Sequence, residues 1–205
     1  MKKRIDGEKF LDAFKKEWEK LLRNDEENIR SNYPFNDKWT DYFVTRENSF
    51  LEKVMLNLRK EISDLNYWRE LYNIDASYIG GKELIWGNDN LLYPSFIYAL
   101  IEHENAGVPE EEVWKLAYRR SPLKVTIFYD YHEHEKANGR SRDEWVPYKL
   151  ASFNSIINEI NGFCGNEPEV EYLFIIGNKE SEHSNPRWRY INEFPLEESR
   201  IKDLA

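Results

Sequence analysis

The run Phe96-Ile97-Tyr98-Ala99-Leu100-Ile101-Glu102-His103-Glu104 is apolar until its last three residues, where two carboxylates stand one residue apart. On a strand, successive side chains face opposite ways, so Glu102 and Glu104 share a face and His103 points away. Two acids on one side of an apolar strand imply that water, a cation or a partner meets them there. A further acid, Asp75, lies in a second strand-like run, Ile74–Ile79. An antiparallel pairing of the two runs brings Asp75 to Glu102 and Glu104 and assembles three oxygen donors. Magnesium prefers oxygen ligands and is held by one or two carboxylates together with waters and substrate phosphate. Manganese accepts the same donors. The chemistry such an ion serves is phosphodiester hydrolysis, in which it activates water and neutralises charge on the leaving oxygen.

The elements that must position these acids are readable from periodicity. Phe10, Leu11, Phe14, Trp18, Leu21 and Leu22 have helical spacing over about 8–23. Residues 24–39, polar and containing Pro34, read as a loop. A second helix is expected over about 46–64 from the stripe Phe50, Leu51, Val54, Leu58, Ile62, started by a Ser49–Glu52 capping box or by Thr45. Leu71–Ile79 then alternates as a strand, Gly80-Gly81-Lys82 reads as a turn, and Glu83–Trp86 as a short return. Gly87–Asn90 makes another turn before the long strand Tyr93–Glu104. Pro109 opens a helix to about Arg120, and Lys124–Tyr131 is a buried strand. A helix over about 143–161 follows, with Ser141 and Glu144 as a capping box, then the strand Val170–Gly177, an edge strand Trp188–Phe194, and a short terminal helix or tail at 195–205. The order α-α-β-β-β-α-β-α-β-β predicts a mixed central β-sheet, an antiparallel meander followed by parallel strands, flanked by helices.

Composition bounds the partners. The 205 residues suit one domain, and an aromatic content of 15% argues against disorder. A single cysteine, Cys164, excludes an internal disulfide and any multi-cysteine metal site. No signal peptide or membrane-length apolar run is present, so the expected protein is soluble and cytoplasmic. The net charge of −9 is not that of a typical nucleic-acid binder, yet bases cluster at Arg119-Arg120, at Lys136 with Arg140 and Arg142, and at Arg187 with Arg189. Carboxylates around a metal count as negative in that sum and are neutralised in use.

With Asp75 on one strand and Glu102-His103-Glu104 ending the next, the chain resembles the restriction-endonuclease-like superfamily, named for its PD-(D/E)XK motif. The resemblance covers roughly 45–177 and follows the order helix, meander, helix, strand, helix, strand. It implies a restriction-endonuclease-like core at 46–205 behind an N-terminal helical and loop extension at 1–45. It further implies that Asp75 takes the first motif position, Glu102 the second, and Glu104 the place usually held by lysine. By the same resemblance, Glu52 or Glu47 on the preceding helix could join the site, and Lys115 could supply a displaced lysine. The implied protein is a magnesium-dependent nuclease acting on nucleic acid, most plausibly DNA, with a homodimer compatible with the reading. Two departures stand out: no proline precedes Asp75, and the triplet lysine is absent.

Other readings of the same residues stay open. Glu102 and Glu104 could simply emerge into solvent, Glu52 could be only a capping acid, and Lys115 a solvated neighbour of Glu111 and Arg119. His132 and His134, two apart, have the spacing for zinc but also suit a charged loop. Asn88-Asp89-Asn90 lacks the rest of a calcium loop and reads as a turn. Cys164 reads as structural. An acidic, non-catalytic interaction module of immunity or nucleic-acid-mimic type would carry the same charge, and is distinguished by acids spread over a flat face instead of gathered in one place.

Overall fold

In a computed structural model of the chain, the described residues are 4–86, 89–105, 108–130, 142–164, 170–178 and 186–204. Four N-terminal helices come first: α1 (Gly7–Asn24), α2 (Glu26–Asn32), α3 (Asn36–Thr40), which runs on through a π-wound turn at Asp41–Thr45, and α4 (Phe50–Leu58). The meander is β1 (Leu65–Leu71), β2 (Ile74–Trp86) and β3 (Asp89–Glu104). Then α5 (Pro109–Ala117), β4 (Leu123–Tyr129), α6 (Arg142–Cys164) and β5 (Glu171–Gly177) alternate, and β6 (Trp188–Ile191) and β7 (Lys202–Asp203) close the sheet.

The seven strands lie in sequence order, β1 to β7. Pairings β1–β2 and β2–β3 are antiparallel, β3–β4 and β4–β5 parallel, and β5–β6 and β6–β7 antiparallel. The expected mixed sheet flanked by helices is therefore present. Its central strand β4 is buried at all seven positions, as parallel strands covered on both faces must be. Leu123, Val125, Ile127 and Tyr129 enter the core shared with the N-terminal helices, where Phe14, Trp18, Phe43, Phe50 and Trp188 meet edge to face or stacked. Phe128 and Phe174 on the other face pack against Phe153 of α6. Lys149 of α6 donates to both carboxylate oxygens of Glu110 at 2.9 and 2.8 Å, which fastens α6 to the first turn of α5.

Several elements differ from expectation, each for a local reason. Residues 24–39 hold α2 and α3, because Ile29 and Trp39 are buried and hold two short helices against the core. The helix expected over 46–64 begins at Phe50, with Ser49 Oγ accepting from the Glu52 amide at 3.4 Å, and ends at Leu58. Strand β1 was hidden because its burial does not alternate, and its turn to β2 uses Tyr72-Asn73 in place of a glycine signal. Gly80-Gly81 does not turn the chain. It lies within β2 at a register shift, and a Cβ on Gly80 would sit 2.8 Å from the Tyr98 ring across the ladder. That glycine serves close approach of an aromatic. Strand β6 is no edge, because β7 pairs outside it, and the expected terminal helix or tail is instead a 3₁₀ turn and that strand, anchored by buried Leu204. The His132–His134 segment, the Lys136–Arg140 bases and the Ser141 cap lie outside the described residues.

Candidate active site at the end of the meander

Strands β2 and β3 pair with Ala76 opposite Ile101, which places Asp75 at the level of Glu102. The strand β1 steps from Arg69↔Ala76 to Leu71↔Ile74, and Glu70 between them has a left-handed φ of 53°. The ladder is thus distorted beside Asp75, and side chains do the pairing there. The Asp75 amide donates to Glu102 Oε2 at 3.2 Å, and the His103 amide donates to Asp75 Oδ2 at 2.9 Å. Each acid is fixed by backbone of the other's strand.

The two faces of β3 separate as the alternation requires. His103 turns toward the N-terminal helices, stacking on Phe43 with ring centroids 4.8 Å apart and meeting the Tyr129 hydroxyl at 2.9 Å. Glu102 turns toward α5, where Lys115 Nζ lies 3.8 Å from its Oε1 and 2.6 Å from Glu112 Oε2. Glu102 is 0% exposed, and among the described residues its Oε1 has no hydrogen-bond partner. Asp75, Glu104 and Lys115 are half-buried.

The electrostatics follow from that burial. Desolvation pushes the Glu102 carboxyl well above the usual carboxylate range; the charges of Asp75 and Glu112 add to this, and Lys115 opposes it. Desolvation also raises Asp75, against the amide of His103, a hydrogen bond with Glu102 and the charge of Lys115, with Glu104 adding a further push upward. Burial works against the Lys115 ammonium, but Glu112, Glu102 and Asp75 outweigh it and hold the pKa above its ordinary value. Burial and mutual repulsion thus disfavour ionising both acids together, and the Lys115 charge works against that.

Of the residues singled out in the sequence, Asp75, Glu102 and Lys115 come together, and Glu104 lies within electrostatic reach of Asp75. Glu52 Oε2 accepts from the Asn48 amide at 2.9 Å, at the start of α4, and Glu47 is exposed. Among the described residues no group of three or more His, Cys, Asp or Glu side chains is arranged to hold a metal ion. The acids that meet are a pair, joined by a lysine. Sequence reasoning missed Glu112. Its signal was present, because Pro109, Glu112, Val113 and Leu116 share the buried spacing of α5. An acid in an apolar stripe needs a partner, and Lys115 is it.

No protein-family model matches the chain, and no curated protein matches its sequence. Among the described residues no helix is long and apolar enough to cross a membrane.

Proposed function

We propose that the chain is a divalent-metal-dependent phosphodiesterase acting on nucleic acid, DNA in the first instance, with a restriction-endonuclease-like core. One observation carries the reading: a fully buried carboxylate oxygen, Glu102 Oε1, without a hydrogen-bond partner among the described residues, beside a second carboxylate and a lysine. Burying such an oxygen with no donor costs about 1–3 kcal/mol or more, a poor bargain for a purely structural residue. Two carboxylates of hard oxygen donors fit Mg2+ or Mn2+, ions commonly completed by water and substrate phosphate. Asp75 and Glu102 would hold the ion, with Glu104 at the rim on the same strand end.

A bound ion of this kind supplies charge neutralisation and a water of lowered pKa. The chain's own groups supply orientation. Glu112 grips Lys115 from one side, so the ammonium stays charged and faces Glu102, where it can hold a phosphate oxygen or steady the attacking water. Lys115 thereby takes the part for which the Glu-His-Glu triplet offers no lysine. Hydrogen bonds from the backbone amides fix the two acids before substrate arrives, which keeps reorganisation small. Arg119 and Arg120, exposed just past the end of α5, would supply phosphate contacts, which position a strand without reading its sequence. Acids spread over a flat face would have favoured a non-catalytic acidic module; a convergent, buried pair favours the enzyme.

The test is cleavage of labelled DNA with Mg2+ or Mn2+ by the purified protein, by Asp75→Asn and by Glu102→Gln. Wild-type cleavage that needs the metal and is lost in both variants is expected. Undiminished cleavage by both would overturn the assignment.

A further inference from the structure

Beside the acid pair, the outer face of α5 carries large aromatic rings in water. Trp114 is 53% and Tyr118 49% exposed, one helical turn apart, with ring centroids 4.9 Å apart and planes at 62°. Tyr118 is also three residues from Lys115, so the ring pair adjoins the proposed centre. The β1–β2 turn presents Tyr72, 59% exposed, and Arg119, next to Tyr118 in the chain, donates to the Tyr72 carbonyl at 3.4 Å with its guanidinium 6.0 Å from the Tyr72 ring.

Tyr72 is also the wrong residue for its backbone. It has a φ of 56° and Asn73 one of 61°, a pair of left-handed conformations that two-residue hairpins fill with Asn and Gly. A tyrosine there is unfavourable for folding, and residues kept against local preference cluster at functional places.

We propose that Trp114, Tyr118 and Tyr72 form a stacking platform for unpaired bases, so that the substrate is single-stranded nucleic acid, or a strand end, led into the Asp75–Glu102 pair. The proposal rests on the phosphodiesterase reading and names its substrate class. Every base has a π-face, so rings in this position bind a strand without reading its sequence, whereas a duplex keeps its bases stacked inside and has none to offer. Charge is arranged to suit: Arg119 and Arg120 follow Tyr118 directly where α5 ends, at the opposite end of that helix from its acidic first turn of Glu110, Glu111 and Glu112, so cations and rings adjoin as they do along a phosphate backbone. Glu111, also exposed on this helix, sets where the backbone does not run.

The experiment is fluorescence anisotropy of the full chain with a short fluorescein-labelled single strand and with its duplex, in EDTA so that nothing is cleaved. Single-strand binding tighter than duplex binding is expected, weakened about tenfold by Trp114→Ala and by Tyr118→Ala, and largely restored by Trp114→Phe. Both rings are half in solvent, so unchanged thermal melting serves to show that these variants fold. Strand binding should quench the fluorescence of Trp114, an effect absent in Trp114→Phe. Replacing Arg119 with Gln should reduce the slope of log Kd against log salt by about 0.7, the value for one single-strand phosphate contact. Equal affinity for duplex and single strand, or wild-type affinity in both alanine variants, overturns the proposal. The two readings fail separately. If Asp75→Asn and Glu102→Gln cleave like wild type while Trp114→Ala loses strand affinity, the platform stands and the metal centre falls. If cleavage needs both acids while the ring variants bind normally, the centre stands and the platform falls.

Discussion

A carboxyl group with no exposed surface must be protonated, paired or bound to a cation, and Glu102 meets Asp75 and Lys115 in such a place. The consequence for stability has a definite sign. The folded-state pKa of Glu102 is raised above its ordinary value near 4.5. Its contribution is then fully present below that value and is lost as pH rises toward the folded pKa, because the unfolded chain gains by ionising first. Replacing Glu102 with Gln should therefore raise the melting temperature at pH 7–8, with the gain shrinking as pH falls into the carboxylate range. A melting series from acid to mildly alkaline pH checks this, and a gain that grows toward acid pH would contradict it. On the proposed phosphodiesterase reading, Lys115→Met should lower kcat by about 100-fold or more while metal affinity changes little, measured by single-turnover cleavage and by metal titration. Asp75 and Glu102 were legible as acids on apolar strands, whereas Lys115 entered only through the family resemblance and by itself read as a solvated helix residue. The grip of each acid on the other's strand was not, since it depends on the register in which β2 and β3 pair.

At the level of elements, α5 and the β1–β2 hairpin set the geometry of the site. Helix α5 was legible from Pro109 and the stripe that follows, and it carries Lys115 and Glu112 on the turn facing Glu102. The hairpin was not, because Tyr72-Asn73 carries no glycine. Tyr72→Asn relieves a left-handed tyrosine and should stabilise the protein by about 1 kcal/mol, read from urea unfolding, while weakening single-strand binding if the ring stacks. Helix α4 starts at Ser49, whose hydroxyl accepts from the Glu52 amide. Ser49→Ala should cost about 1 kcal/mol in the same measurement. The Ser49–Glu52 spacing was one of two starts the sequence offered, beside Thr45, whereas the Gly80-Gly81 pair misdirected the reading of β2, since a glycine that admits a ring and a glycine that makes a turn look alike without the partner strand.

The whole molecule is a sheet with both faces covered, and the N-terminal helices are part of its core, not a loose arm. Phe14 and Trp18 of α1 meet Trp188 of β6 edge to face at 5.3 and 5.4 Å. Removing residues 1–45 should expose that face and abolish cooperative unfolding, and Trp188→Ala should cost about 3–5 kcal/mol, both checked by circular dichroism melts. By itself the sequence determined the alternation of helices and strands, the mixed sheet, the burial of β4 and the acids at the end of an apolar strand, because periodicity and composition are local and each residue carries its own preference. Only the tertiary structure decided which acids meet. Pairing Ala76 with Ile101 brings together residues 27 apart, and α5 lays Lys115 over them. Those contacts depend on register and packing between distant segments, which no local pattern encodes. The same holds for the exposed aromatics: Trp114 and Tyr118 are near neighbours on any helix, but the contact that Arg119 makes with the Tyr72 turn is a property of the fold.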